Sequence, residues 1–419
     1  VLFSDGAKKL RTSYGHGSPF VYARYEGGSP VMRFAAAPKL WSGDASSSTL
    51  GLTFGGKHYG VFAPAGARWQ GLASAQWECL TDKPYLSIAV LPDDKPETLA
   101  LFAKYAHSHV IGTEVRWAFD PKSAVVTTEF RYTTKPYEGT ERGTLFALYP
   151  HQWRNTSTPL LGSQYGSVRG AMKLGAGEAF VTKMKFPGIL PVLPDAGGLS
   201  KEKVVALLKE DTAKPWGEFR DTYWEGKELG RQATLLGIAD AYGLDTEAAR
   251  LHADLSKRLE GWFSADKTKR KGLFAYEPVW GTLIGYPASF GSDDQLNDHH
   301  FHYGYFLRAA AEIARRDPAW ASKDRWGSML RLLVRDIASP DRRDPLFPFL
   351  RTFDPYAGHT WASGHARFGD GNNNESSSEA MNAWAGVVLL GEATGDRDLR
   401  DLGAWLYTTE LHAIEENWY

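Results

Sequence analysis

Two short stretches of the chain hold side chains able to move protons. The first, SFGSDDQLNDHHFHYGYF (Ser289–Phe306), gathers Asp298, His299, His300, His302 and Tyr305 at the start of a segment that continues into Ala309, Ala310 and Ala311. If a helix starts near Asn297, then Asp298, His302 and Tyr305 fall at i, i+4 and i+7, on one face. An Asp in a first helical turn is also favoured by the helix dipole alone, so it takes further groups to make a site of it. The second stretch, GDGNNNESSSEAMNAWAG, sets Glu375 and Glu379 one helical turn apart where a helix opens. Ala380, Ala383, Trp384 and Ala385 mark that helix as buried, and two acids sharing a cleft would push the pKa of one of them up.

One Asp and two Glu on two helices suit hydrolysis of a glycosidic bond. That chemistry needs one carboxyl held protonated for the leaving oxygen and another ionised, to activate water or to attack. A carboxyl separation of about 6.5–9.5 Å leaves room for water and gives inversion, whereas about 5 Å gives retention. A metal centre is the rival reading. His299 and His302 are close in sequence, but neither an H-E-x-x-H motif nor a cysteine pair supports zinc. The expectation is therefore no metal, and hydrolysis by two carboxyls needs no cofactor.

These residues belong to a chain of 419 residues, long enough for more than one domain. It carries 48 basic and 49 acidic residues, a balance that leaves no electrostatic footprint for nucleic acid or an anionic membrane surface. No apolar run approaches the roughly 20 residues that span a bilayer. The single cysteine, Cys79, excludes an intrachain disulfide and leaves the compartment open. Aromatic content is high, with 15 Trp, 19 Tyr and 21 Phe, which fits either Trp-rich cores or a groove where rings stack on sugar faces.

The elements that must position the acids change character along the chain. The first half reads as β. TEVRWAFDPKSAVVTTEFRYTT alternates on both arms around the turn Asp120–Ser123, a hairpin signature, and similar short runs separated by Gly, Pro and Asp suggest a large antiparallel sandwich. From Leu199 the pattern turns helical, with Ser200 as an N-cap. GKELGRQATLLGIADAYG and TEAARLHADLSKRLEGWFS read as an antiparallel pair, and further helices read at 297–316, 322–337, 376–391 and 396–415. Two long connections, 267–296 and 339–374, are rich in Gly, Pro and aromatics, the kind of loop that carries function. Helical hairpins in series suggest an α/α toroid. The helices legible after Leu199 are too few to close one, and the ending ELHAIEENWY stops on a helix, so the expectation is a barrel left incomplete in this chain.

WGTLIGYPASFGSDDQLNDHHFHYGYF and GHTWASGHARFGDGNNNESSSEAMNAWAG closely resemble the signature regions of glycoside hydrolase family 81, the endo-β-1,3-glucanases, and LYPHQW and LRTSYGHGSPFVYA resemble its sandwich domain. The resemblance implies a multidomain β + α fold: an antiparallel β-sandwich (1–190), a small α/β linker (191–225) and an (α/α)6-type helical barrel (226–419). It implies an inverting mechanism, with Asp298 as general acid, Glu379 as general base and Glu375 essential or supporting, the split between the two glutamates left open. His302 and Tyr305 match positions that hold sugar or tune the acid. Trp280, Tyr286, Tyr356 and Trp361 of the long loops are candidate stacking platforms, with His359 beside them as a substrate contact. The implied partner is a β-1,3-glucan, with no nucleic acid and no membrane, for a secreted and monomeric protein. Two other readings stand beside it. One is a polysaccharide lyase using His302 or Tyr305 as base with Arg308 and Arg367 near a uronate. The other is a glucan-binding fragment without turnover.

Overall fold

The computed structural model describes residues 1–418 apart from 193, 195, 196, 219, 368 and 370. The chain divides into two compact units, one from Val1–Trp117 and Thr127–Lys183 with the last residues from Glu416, the other from Ala118–Val126 and Met184–Glu415.

In the first unit a seven-stranded antiparallel sheet runs in the order Leu2–Ser4, Lys9–Ser13, Phe20–Glu26, Tyr85–Leu91, Lys57–Phe62, Thr49–Phe54, Lys39–Ser42. Its centre is covered on both faces, which is why Leu50, Val61 and Phe62 are all buried although neighbouring strand residues point to opposite sides. On one face Phe20, Phe62 and Leu91 meet Leu99 and Phe102 of helix α1 (Pro96–Tyr105), together with Leu145 and Leu174. The last two come from a three-stranded sheet of Thr144–Leu148, Gly170–Gly177 and Leu160–Ser167, and the four-residue helix α2 (Pro150–Trp153) follows its first strand. On the other face Leu50, Leu52, Val61 and Leu86 meet Trp69, Trp77 and the buried Cys79. The expected hairpin forms over Ser108–Asp120 and Val125–Pro136, with its turn, Ala118–Val126, counted in the second unit. Asp120 shapes its turn by accepting the Lys122 N–H at 3.0 Å and the Ser123 hydroxyl at 2.6 Å.

The second unit is helical: α3 (Lys201–Ala213), α4 (Thr222–Ala241), α5 (Asp245–Phe263), α6 (His299–Arg316), α7 (Gly327–Ala338), α8 (Ser377–Thr394) and α9 (Arg397–Trp418). Ser200 caps α3 as expected, accepting the Lys203 N–H at 3.2 Å. α4 opens four residues earlier than its periodicity indicates, because Asp221 caps it by accepting the N–H groups of Tyr223 and Trp224. α6 is the central helix, buried along most of its length between α4 and α8. Small residues let it sit there: a Cβ on Gly304 would fall 2.5 Å from the Ala383 Cβ, so only glycine allows α6 and α8 this close.

Among the described residues these helices do not close a barrel. The long connections are also not structureless. Residues 267–296 contain a hairpin of Leu273–Glu277 and Thr282–Tyr286, and residues 339–374 a short one of Phe353–Asp354 and His359–Thr360. Both are tied to helices, which converts loop into scaffold.

Candidate active site

Asp298 is the residue just before α6, and its backbone takes the left-handed conformation (φ 58°, ψ 17°) that non-glycine residues adopt rarely. Its N–H donates to Ala362 O at 2.9 Å, while its carbonyl accepts from Phe301 and His302 at 2.9 and 3.0 Å. The side chain is 6 % exposed. Its Oδ2 accepts the Asn297 amide at 2.9 Å, and its buried Oδ1 has no partner. Burial first, and then the charges of Glu375 and Glu379, push its pKa up to about 7.

Glu379 stands in the first turn of α8, whose cap Ser376 accepts the Glu379 N–H at 3.4 Å. The Tyr305 hydroxyl donates to Glu379 Oε1 at 2.8 Å, and the Lys227 ammonium lies 3.8 Å from the same oxygen and donates to the Tyr305 oxygen at 3.1 Å. Glu375 is exposed and, like Asp298, sits in a left-handed conformation (φ 63°). Burial and then the Glu379 charge and hydrogen bond raise the Tyr223 phenol, with smaller contributions from Asp298 and Glu375. Both glutamates that sequence spacing singled out therefore act on Asp298, and all three carboxyls act on one tyrosine.

The histidines do a different job from the acids. His302 is fully buried, its Nδ1 2.7 Å from the Thr222 hydroxyl on α4, and burial, then His299, hold its pKa down at about 3. It is a neutral ring whose centre lies 5.3 Å from that of Tyr223. His300, equally buried, is likewise held down at about 3. His299 bridges Ser292 O (2.7 Å) and Asp336 Oδ2 (2.6 Å), and Asp336 in turn accepts from Thr282 and Leu283 of the hairpin at 2.8 Å each.

The proposed aromatic platforms separate into exposed and buried groups. Trp280 is 67 % exposed at the tip of the 273–286 hairpin, and Tyr286 is 36 % exposed. Trp361 is half-buried, its indole N–H 3.5 Å from Asp354 and its ring edge-on to His359 at 4.6 Å. Tyr356 and His359 are buried and present no open face. The structure instead brings Tyr223 and Phe290 to the acids. Their rings lie 5.1 Å apart, and the Phe290 carbonyl accepts from the same Asn297 amide that holds Asp298. Sequence reasoning missed both, together with Lys227. The available signal was Asp221 followed by Thr222-Tyr223-Trp224, a capped first turn carrying aromatics, with Lys227 one turn on.

Residues 200–419 match the glycosyl hydrolase family 81 C-terminal domain. The chain belongs to glycoside hydrolase family 81. It is 47 % identical over 423 residues to a glucan endo-1,3-beta-D-glucosidase of Acetivibrio thermocellus, covering 100 % of this chain and 55 % of that protein. It is 46 % identical to the protein of the same name from Thermobifida fusca, over 99 % of this chain and 54 % of that one. A solved family 81 glycoside hydrolase from Clostridium thermocellum superposes with a TM-score of 0.96 at 46 % identity, covering 100 % of this chain and 59 % of that one. The chain thus spans about half the length of the curated relatives it matches. Within the family 81 signature around Glu375, residues 368 and 370 lie outside the described residues. Of the two cations of the lyase reading, Arg308 is committed to Glu312 at 2.7 Å and to Pro191 O at 2.6 Å.

Proposed function

We propose that this family 81 chain cleaves internal β-1,3-glucosidic bonds of β-1,3-glucans such as laminarin, curdlan or fungal-wall glucan, and does so with inversion. The observation that carries the reading is the Asp298 carboxyl: buried, raised to about 7, with an unpartnered Oδ1. A carboxyl in that state still carries its proton in about half of the molecules at pH 7 and can deliver it to a leaving oxygen. The names of the two bacterial relatives supply the substrate class.

Glu379 is assigned the general base, because the Tyr305 hydroxyl and the Lys227 ammonium both face its Oε1 and suit a carboxylate there. In the step, water attacks the anomeric carbon while Glu379 takes its proton. The glycosidic C–O bond breaks and its oxygen receives the Asp298 proton. The exposed Glu375 is assigned a supporting role beside them, through the charge it places on Asp298. Tyr223 and Phe290 join Trp280, Tyr286 and Trp361 as sugar contacts, and His302, whose backbone N–H donates to the Asp298 carbonyl at 3.0 Å, is assigned to hold the acid in place. The domain boundaries we infer are a sandwich at 1–190, a linker at 191–225 and a helical domain from 226, in a secreted, monomeric protein.

Proton NMR of the anomeric region during laminarin digestion tests this. The α-anomer should appear first from the β-linked substrate, and D298N and E379Q should both abolish it. The β-anomer appearing first would replace inversion by a covalent intermediate on a glutamate. Binding to insoluble glucan without release of reducing ends would make the chain a binding module.

A further inference from the structure

Glu410 lies on α9, far in sequence from every acid of the site, and is 0 % exposed. A buried carboxyl is tolerated only when its oxygens are satisfied, and here each oxygen holds different segments. Oε1 accepts the Thr360 N–H at 3.2 Å, the Thr360 hydroxyl at 2.9 Å and the Asn374 amide at 3.4 Å. Oε2 accepts the Trp384 indole N–H at 2.7 Å.

Each of those partners leads to a carboxyl of the site. Asn374 is the residue before Glu375, and its amide also donates to Thr360 O at 2.9 Å. Two residues beyond Thr360, Ala362 donates its N–H to Asn373 O at 2.9 Å and accepts the Asp298 N–H at 2.9 Å. Trp384 lies on α8, which carries Glu379 in its first turn. Asp298 and Glu375 both hold left-handed backbone conformations, and such conformations persist only where the surroundings over-determine them.

We infer that Glu410 is a positioning residue for catalysis: its two oxygens clamp Thr360, Asn374 and Trp384 together and so fix where Asp298, Glu375 and Glu379 stand relative to one another. The inference rests on the proposed hydrolytic reading of that site. The Thr360 N–H and the Trp384 indole N–H can only donate, and each meets a different oxygen of Glu410, so the pocket demands two acceptor oxygens. Glu410→Gln supplies one carbonyl, and either Trp384 or the Thr360–Asn374 side then faces an amide N–H instead of an acceptor. Thr360→Val is the gentler variant, removing one hydroxyl that donates to Glu410 and accepts from the Asn374 amide at 3.3 Å, and leaving the Thr360 N–H bond in place.

Kinetics on laminarin across pH, with both variants in the full chain, separates positioning from mere support. Both should keep the wild-type circular dichroism spectrum and KM. E410Q should lose about 10- to 100-fold in kcat, the scale set by misplacing reacting groups, with T360V losing less. Burial also raises Glu410 itself to about 7, so the alkaline limb of the profile is read in T360V, which keeps that carboxyl: it should move to lower pH, because Glu375 drawing away from Asp298 removes part of what raises the Asp298 carboxyl. A residue that only stabilised the fold would lower the melting temperature and leave kcat and the limb unmoved, and that result overturns the inference. If E410Q does not fold, T360V carries the same comparison. If the wild type fails to hydrolyse laminarin, the functional reading falls and the inference is judged on crystal structures of wild type and T360V. A displaced 360–362 or 373–375 segment then supports it, and coincident backbones overturn it.

Discussion

The Tyr305 hydroxyl donates to Glu379 Oε1 at 2.8 Å across 74 residues of sequence, and so locks the first turn of α8 to the second turn of α6. The bond exists because Tyr305 lies over Gly226 and Gly230 of α4: a Cβ at Gly230 would fall 2.8 Å from its ring. Glycine at these positions gives the ring its place, and the ring gives the carboxylate its orientation.

Tyr305→Phe removes that donor and keeps the ring. A hydrogen bond to a charged group contributes about 1.5–3 kcal/mol, so kcat on laminarin should fall about 10- to 100-fold if the bond holds the base in the transition state. Steady-state kinetics checks it. A kcat within twofold of wild type would remove Tyr305 from the machinery.

The raised Asp298 carboxyl has consequences for both rate and stability. With Asp298 as the proposed proton donor, its proton is lost as pH rises through about 7, so kcat/KM should fall on the alkaline side with a midpoint near there. For stability, the folded-state pKa stands above the ordinary 3.8, so the native chain holds the proton more tightly than the unfolded one. Its stabilising contribution is complete below about pH 4 and disappears as pH climbs through about 7. The groups that face it, Glu375, Glu379 and the Tyr223 phenol, add negative charge or none, and Lys227 is engaged by Tyr305 and Glu379.

Asp298→Asn should therefore abolish activity, by about 100- to 10,000-fold, and raise the melting temperature. The gain should be largest at pH 8 and vanish near pH 4, with an upper bound on the order of 4 kcal/mol. Calorimetry at the two pH values measures it. An equal shift at both would mean that the carboxyl is not held protonated in the native chain.

Asp336 and His299 form a fully buried pair, and Arg351 approaches the same carboxylate at 3.4 Å. The interaction with His299, opposing burial, holds the Asp336 carboxyl below the ordinary range. Asp336→Ala takes the carboxylate from His299 Nδ1, the Thr282 hydroxyl and the Leu283 N–H, and leaves Arg351 only its backbone acceptors, so it should cost about 3–5 kcal/mol. The urea midpoint should fall accordingly, and a loss under about 1 kcal/mol would show the pair to be dispensable.

Trp280 projects from its hairpin with 67 % of its surface open. Trp280→Ala should change stability by less than about 0.5 kcal/mol. KM for laminarin should rise about 2- to 10-fold, the scale of an aromatic contact. Unaltered KM on both short and long glucans would leave the ring outside the substrate path.

The amino-acid sequence by itself determined the local features. Alternation and an Asp-Pro turn made the 108–136 hairpin legible, Ser200 marked the start of α3, and acids beside helix starts pointed to Asp298, Glu375 and Glu379. All of these depend on spacing within a few residues, where backbone periodicity and capping dominate. Tertiary structure decided which neighbours those acids have. Tyr223 and Lys227 reach the acids from α4, Glu410 on α9 bonds the segments that lead to them, and the Asp336 that holds His299 sits on α7. Such pairings are fixed by how buried helix faces pack, so nothing in local periodicity announces them. The same holds for charge state: Asp298 and His302 are ordinary titrating residues by type, and only burial among one another's neighbours raises the first and lowers the second.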